Sequence, residues 1–316
     1  MKKSLRIALL FAAALLTPQV ARAWDAVGHE VVARIAWENM TPAARQKVVA
    51  LLAQAPADAC LLSLAPPTSL PPDVRAREFF VIAATWPDVV RPKNSQDTRV
   101  CTKFNHPPWH FINFFWSGVS GDQLHPPHEV STPQVPPLNA VERLQRLRTF
   151  GLTGLDANQA VQLAWILHLV GDIHQPLHSS AHVTDVEKKG DEGGNTFLLG
   201  TGQNPLKLHA FWDHIIDESI PRKAGEDDFA YVDRVAEMIT QSHPRAALAP
   251  RLKDGQFEAW AREGLATAEG SAYPKSLKRG HKPLPAYQQQ ALMLSGEAIA
   301  LGGYRLADLL NELFDS

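Results

Sequence analysis

The chain has 316 residues, 45% hydrophobic and 20% charged, with 24 Pro, 8 Trp, 13 His and only 2 Cys. Those fractions exclude long disorder, a collagen-like repeat and a disulfide-stapled mini-domain. With 31 Lys and Arg against 33 Asp and Glu, the formal charge of −2 also excludes a generic basic coat for nucleic acid, so any anionic substrate must be gripped by something local.

Residues 1–23 read as a cleaved secretory signal: Lys2, Lys3 and Arg6, then an apolar run from Ile7 to Leu16, then Ala21-Arg22-Ala23 as a small-x-small cleavage site. The apolar run, about ten residues, is too short to cross a bilayer. The expectation is an exported protein, periplasmic or extracellular, with no membrane anchor and one catalytic domain over 24–316. Removal of four basic residues leaves 27 positive against 33 negative, or −6. Export permits a disulfide between Cys60 and Cys101, whose separation the sequence leaves open. Cleavage after Ala23 also frees the α-amine of Trp24, with an expected pKa near ~8. That amine and its own carbonyl can chelate a metal in a five-membered ring; the amide nitrogen of a precursor cannot.

Thr41-Pro42, followed by Val48, Val49, Leu51 and Leu52, predicts a capped amphipathic helix. The Pro-rich stretches Ala55 to Pro72 and His106 to Pro137 read as loops, apart from the apolar patch His110–Trp116. Asn139 to Phe150 predicts a basic-faced helix, and Asp156 an N-cap for an apolar helix through Leu169. Gly190 to Gly202 reads as a loop or short hairpin. Helical patterns return at Leu208–Ile220, Phe229–Gln241, Gly255–Thr267 and Ala286–Leu313. Alternating strand patterns are nearly absent, which predicts an all-α single domain.

Two of these helices repeat one spacing, His168-x3-Asp172 and His209-x3-Asp213. Positions i and i+4 lie on one helix face about 5–6 Å apart, so each pair can grip a metal. A single pair is better explained by a buried histidine hydrogen-bonded to a carboxylate. Two pairs, each inside an apolar helix beside a Trp (Trp165, Trp212), favour metal, because two bare buried ion pairs are costly. Pro176 must kink or stop the first helix, turning His178 toward a different point from His168. His174, two residues past Asp172, points away and reads as structural.

These segments, in order, are Trp24-Asp25-x-x-Gly28-His29, Trp86-Pro87-Asp88 with Arg91, His110-Phe111-Ile112, His168-x3-Asp172-x-His174-Gln175-Pro176-Leu177-His178, Gly193-Gly194-Asn195 and Leu208-His209-x-x-Trp212-Asp213. Together they resemble the S1/P1-type zinc-dependent nuclease family over about two thirds of the chain. Bacterial zinc-dependent phospholipase C is a more distant likeness. The resemblance implies a mainly helical domain with a trinuclear zinc cleft. Asp88, His110, His168 and Asp172 would hold one zinc. The Trp24 amine and carbonyl, His29 and Asp172 would hold its neighbour, and His178, His209 and Asp213 a third. All are acceptable zinc donors. Three Zn2+ with three Asp leave a local charge of about +3 on a chain of −6, enough to attract phosphate.

The implied activity is cleavage of single-stranded RNA and DNA to 5′-nucleotides by zinc-activated hydroxide, with 3′-nucleotidase action besides. Asp88 would orient or deprotonate the water. Arg91 would donate to phosphate oxygens as charge builds. Phe111 takes the position that stacks on a base. Asn113 stands where the family has an acid, which puts base preference in doubt. Asn195, behind two glycines, would line the cleft. Two intervals, His29 to Asp88 and Asp88 to His110, are longer than the family's, in the loops carrying Cys60 and Cys101. His106 rivals His110 as a ligand; the Phe-Ile after His110 decides for the latter. With His125 and His128, His106 is expected to face solvent, and His182, His243 and His281 carry no motif. The other readings are a phospholipase C-like phosphodiesterase, with Leu61 to Leu70 as a lipid-facing rim, and a non-enzymatic exported zinc-binding protein. No stable protein partner is expected.

Overall fold

In the computed structural model, residues 24–130, 138–149, 158–252 and 255–315 are described. The signal segment, Phe150 and the Asp156 cap lie outside them. Twelve α-helices are described: α1 Ala26–Asn39, α2 Pro42–Leu52, α3 Pro72–Ala83, α4 Trp86–Val89, α5 Ala140–Thr149, α6 Gln159–Asp172, α7 Leu208–Asp213, α8 Ile215–Ser219, α9 Asp228–Ser242, α10 Arg245–Leu248, α11 Phe257–Thr267 and α12 Pro285–Phe314. The strands are short: β1 Phe114–Ser117, β2 His128–Glu129, β3 Ser180–His182, β4 Leu198–Leu199 and β5 Leu206–Lys207. The fold is therefore mainly helical, as expected, with strands added where the sequence showed no alternation.

Local chemistry accounts for the helix starts. The Thr41 hydroxyl accepts from the Ala44 amide at 3.1 Å, and Pro42 sits in the first turn where its missing donor costs nothing. Asn158 starts α6, its side chain accepting from the amides of both Ala160 and Val161. Thirteen of the fourteen residues of α6 are buried, so this helix is the axis of the core. It packs against α1, α2, α5 and α12. The helix expected over Leu208–Ile220 is broken at His214 into α7 and α8.

Two connections place functional turns. β1 pairs in parallel with β3, Phe114 opposite Ser180 and Trp116 opposite His182, and the Ile112 amide donates to the His178 carbonyl at 2.9 Å. The turns ending at His110 and containing His178 are thereby held side by side. Cys60 and Cys101 form a disulfide, with Cα atoms 5.8 Å apart and 41 residues of separation. The closed loop contains α3, α4 and Asp88. Replacing both cysteines by Ser is expected to lower stability by about 4 kcal/mol, the loop-closure entropy regained by the unfolded chain. Urea denaturation checks this as a lower midpoint, with a slope at least as steep as wild type because the opened unfolded chain exposes more surface.

Candidate metal centre

The last turn of α6 carries His168 and Asp172, both fully buried. Around them converge His29 from α1, Asp88 from α4, His110 and His178 from two 3-10 turns, and His209 and Asp213 from α7. Gly171 makes the approach of α1 possible: a Cβ there would lie 2.6 Å from the His29 ring nitrogen.

The two oxygens of Asp172 face different neighbours. Oδ2 lies 3.1 Å from His110 Nδ1 and 3.2 Å from His168 Nε2, whereas Oδ1 lies 3.5 Å from His29 Nε2. Asp88 Oδ1 approaches His168 Nε2 at 3.8 Å and His110 Nδ1 at 4.0 Å. On the other side, His209 Nε2 is 3.6 Å from Asp213 Oδ2, and the His178 and His209 rings stack at 4.9 Å. Three sets of donor atoms, each within 4.8 Å of one another, result: His29, His168 and Asp172; Asp88, His110 and His168; His178, His209 and Asp213.

Outer contacts fix which ring nitrogen faces inward. His168 Nδ1 donates to the Ala84 carbonyl at 2.8 Å, His178 Nδ1 to the His110 carbonyl at 2.6 Å, and His209 Nδ1 to the Gly193 carbonyl at 2.7 Å. Each Nε2 is left with its lone pair toward the centre, the tautomer a metal needs. Gly193 reaches His209 with φ +63, and a Cβ there would lie 2.4 Å from the Leu177 carbonyl oxygen. Gln175 Nε2 donates to Asp213 Oδ1 at 2.6 Å and so aims the other carboxylate oxygen inward.

These donors fit a cation. Nε2 of His29 and of His178, Asp172 Oδ1 and Asp213 Oδ2 face the donor sets and are buried without a hydrogen-bond partner, a costly set unless an ion completes it. Burial pushes His29, His110 and His178 well below the usual imidazole range, His168 to about 3 and His209 to about 4. Burial pushes the Asp172 and Asp213 carboxyls well up. The imidazoles are thus held neutral at neutral pH, the form in which imidazole can ligate a metal.

Trp24 is fully buried; its indole donates to the Gly171 carbonyl at 3.1 Å, and the next amide, Asp25, donates to the Asp213 carbonyl at 3.2 Å. Asp88 and Arg91 keep side chains 11% and 19% exposed, 2.8 Å apart, so they form the solvent edge of an otherwise closed cluster. Phe111 and Asn113 are half-buried in the extended chain just beyond His110. Asn195 is half-buried too, its amide donating to the Glu192 carbonyl at 3.0 Å.

Some histidines differ from expectation. His106 is half-buried rather than fully solvent-facing, stacking on Trp109 at 3.7 Å, while the Arg143 guanidinium lies 4.0 Å from the same ring. This stack supports the residue before His110, a role its Pro-rich setting hid. His182 stacks on Trp116 at 4.1 Å; His125 and His128 are exposed as expected. His174 is buried, accepting from Arg305 at 2.8 Å and donating to the Val170 carbonyl, a structural clamp. Gln175 was passed over in the sequence, although its place between His174 and Pro176 in the ligand segment was the available signal.

The chain is thus of a definite class: a mainly helical domain that gathers largely buried His and Asp into three groups able to hold a metal ion. The chain matches the S1/P1 Nuclease family over residues 24–315 and belongs to it. That family is zinc-dependent. Among curated relatives, it is 28% identical over 180 residues to Endonuclease 2 of Arabidopsis thaliana, covering 56% of this chain and 59% of that protein. It is 27% identical over 196 residues to Endonuclease 5 of the same plant, 57% of each, and 42% identical over 62 residues to its Endonuclease 4, 20% and 18%. The chain thus spans less than two thirds of the length of these relatives. No helix among the described residues is long and apolar enough to cross a membrane.

Proposed function

We propose that the chain is a zinc-dependent nuclease and phosphodiesterase that hydrolyses single-stranded RNA and DNA to 5′-nucleotides, and removes 3′-phosphates, after export and loss of residues 1–23. The observation that carries this reading is Asp172, one buried carboxylate whose two oxygens face different histidine sets and so can bridge two cations. The ligands would be distributed as the family resemblance implies: Asp88, His110, His168 and Asp172; Trp24, His29 and Asp172; His178, His209 and Asp213. Three bound Zn2+ would supply the Lewis acidity that activates water and neutralises charge on phosphorus-bound oxygens.

The protein's own contribution is positional. Asp88, at the solvent edge, can take the proton of an attacking water. Arg91, in contact with Asp88 at 2.8 Å, holds that carboxylate and offers further N–H groups to phosphoryl oxygens. Arg91→Ala is expected to lower kcat about 10²-fold while zinc content stays unchanged, measured by steady-state kinetics beside elemental analysis. Phe111 offers a face for any base, a contact of about 1–3 kcal/mol that suits unpaired strands. Asn195 and Asn113 would meet the same base or sugar.

The test is incubation of mature protein with single-stranded DNA and RNA, with and without a chelator and with zinc restored. Cleavage that the chelator stops and zinc restores is expected; absence of cleavage of both polymers overturns the reading. A lipid substrate gains no support from Leu61 to Leu70, because Leu61 is fully buried and Leu62 alone of its leucines is well exposed. Catalytic geometry at Asp88 and Arg91 is more than a storage protein requires.

A further inference from the structure

Between Glu269 and Glu297 the sequence holds no acid, yet it carries Lys275, Lys278, Arg279 and Lys282. In a mature chain expected at −6, that is a local concentration of the opposite sign. The loop is not free-standing. The Arg279 guanidinium donates to the Thr196 carbonyl at 2.7 Å and lies 4.3 Å from the Phe197 ring centre, and the Gly280 amide donates to the Leu198 carbonyl at 2.9 Å. It is docked on β4, immediately after Gly193-Gly194-Asn195, the turn whose Gly193 carbonyl holds His209.

β4 in turn pairs with β5, Leu198 opposite Lys207, two residues before His209. Lys207 is close enough for its charge to act on that imidazole. Across the two docked segments, 187–207 and 275–282, seven basic side chains stand against three acids. Two of those acids are already engaged. Asp191 is buried, accepting from the Tyr273 hydroxyl at 2.6 Å and the His182 amide at 2.9 Å. Glu187 accepts from Thr184, Thr196 and Arg279. Lys278 and Lys282 are exposed, and no acid among the described residues pairs with them.

We propose that this docked basic loop, with Lys207, is a rim that binds the phosphates of a single-stranded nucleic acid beyond the phosphate being cut. It deepens the nuclease reading and rests on it. The rim begins beside His209 and runs outward over the β4–β5 hairpin, so a strand leaving the candidate centre past Asn195 meets it with successive phosphates. Exposed lysines on a fixed loop suit this task, because they grip charge without reading sequence. They also solve the problem the overall charge poses: a polyanion needs a positive track on an otherwise acidic protein.

The experiment uses zinc-loaded protein and compares kcat/KM for a ~20-nucleotide oligothymidylate with that for a thymidine dinucleotide. The double variant Lys278→Ala, Lys282→Ala is expected to lower the long-to-short ratio about 10-fold at ~0.15 M salt, each lost contact also flattening the logarithmic salt dependence by roughly 0.7. A charge-matched pair elsewhere, Lys47→Ala with Lys223→Ala, is expected to leave the ratio as it is. An unchanged ratio and slope in the Lys278, Lys282 variant overturns the rim. If wild-type protein cleaves neither substrate, the nuclease reading fails separately. Anisotropy of the labelled long strand on the same zinc-loaded protein then decides the rim: about 10-fold weaker binding by the variant supports it, equal binding overturns it.

Discussion

Asp172→Asn is expected to lower kcat/KM on single-stranded DNA by about 10³-fold or more, a loss of about 4 kcal/mol of transition-state stabilisation. Asn has nearly the same shape, so the end of α6 keeps its packing and the loss isolates charge. In the wild type, Asp172 Oδ2 stands 3.1–3.2 Å from His110 and His168 and Oδ1 stands 3.5 Å from His29. An amide can present one neutral acceptor there but cannot serve two cations. Elemental analysis after dialysis should find less zinc per chain in the variant. Thermal unfolding gives an independent reading: chelation should lower the Tm of wild type, since an ion that binds only the folded chain stabilises it, and should move the variant less. Full activity in the variant, with zinc intact, would remove Asp172 from the centre.

Asp172 was legible because its information is local. His168-x3-Asp172 and His209-x3-Asp213 need only the helical repeat to put donors on one face, and both pairs sit on helices in the structure. What brings the pairs together was not legible. His110 and His178 are juxtaposed by the parallel pairing of β1 with β3, strands of four and three residues about 65 positions apart. Runs that short show no alternation, and Phe114-Phe115-Trp116 reads as an apolar patch whichever way it folds. α1 escaped notice for another reason. Eight of its fourteen residues are buried, so it has too broad an apolar surface to show a stripe. Its histidine was found by motif alone. The start of α6 shows the ordinary limit of cap reading, since Asn158 caps the helix two residues after Asp156, the cap the sequence suggested.

The contacts that tune the donors were the hardest to foresee, because three of them are backbone carbonyls. Ala84, His110 and Gly193 each accept from one imidazole and so set its tautomer, yet a carbonyl leaves no mark in a sequence. Gly193 is the exception, since its positive φ demands glycine.

Leaving a single extra residue before Trp24 is expected to lower activity about 10²-fold or more, a larger effect than most side-chain changes outside the ligands. The position explains why. Trp24 is fully buried, and its indole is tied to Gly171, next to Asp172; the following amide is tied to Asp213, a second candidate ligand. Gly28 keeps this corner tight, because a Cβ there would come within 2.8 Å of Trp24 Cβ. The Asp25 carboxylate caps α1 through the Gly28 amide at 2.9 Å and meets His214 at 3.1 Å, which fixes the backbone direction at the start. A free amine held there has a lone pair to offer a metal together with its own carbonyl; an acylated nitrogen has none. The comparison is between protein beginning at Trp24 and protein retaining Ala23, each verified by mass, with activity and zinc measured on both. The extended form should bind less zinc and should regain activity when an aminopeptidase removes the added residue. Equal activity and equal zinc in the two forms would show that the terminus is packing only, and that His29 and Asp172 serve their site without it.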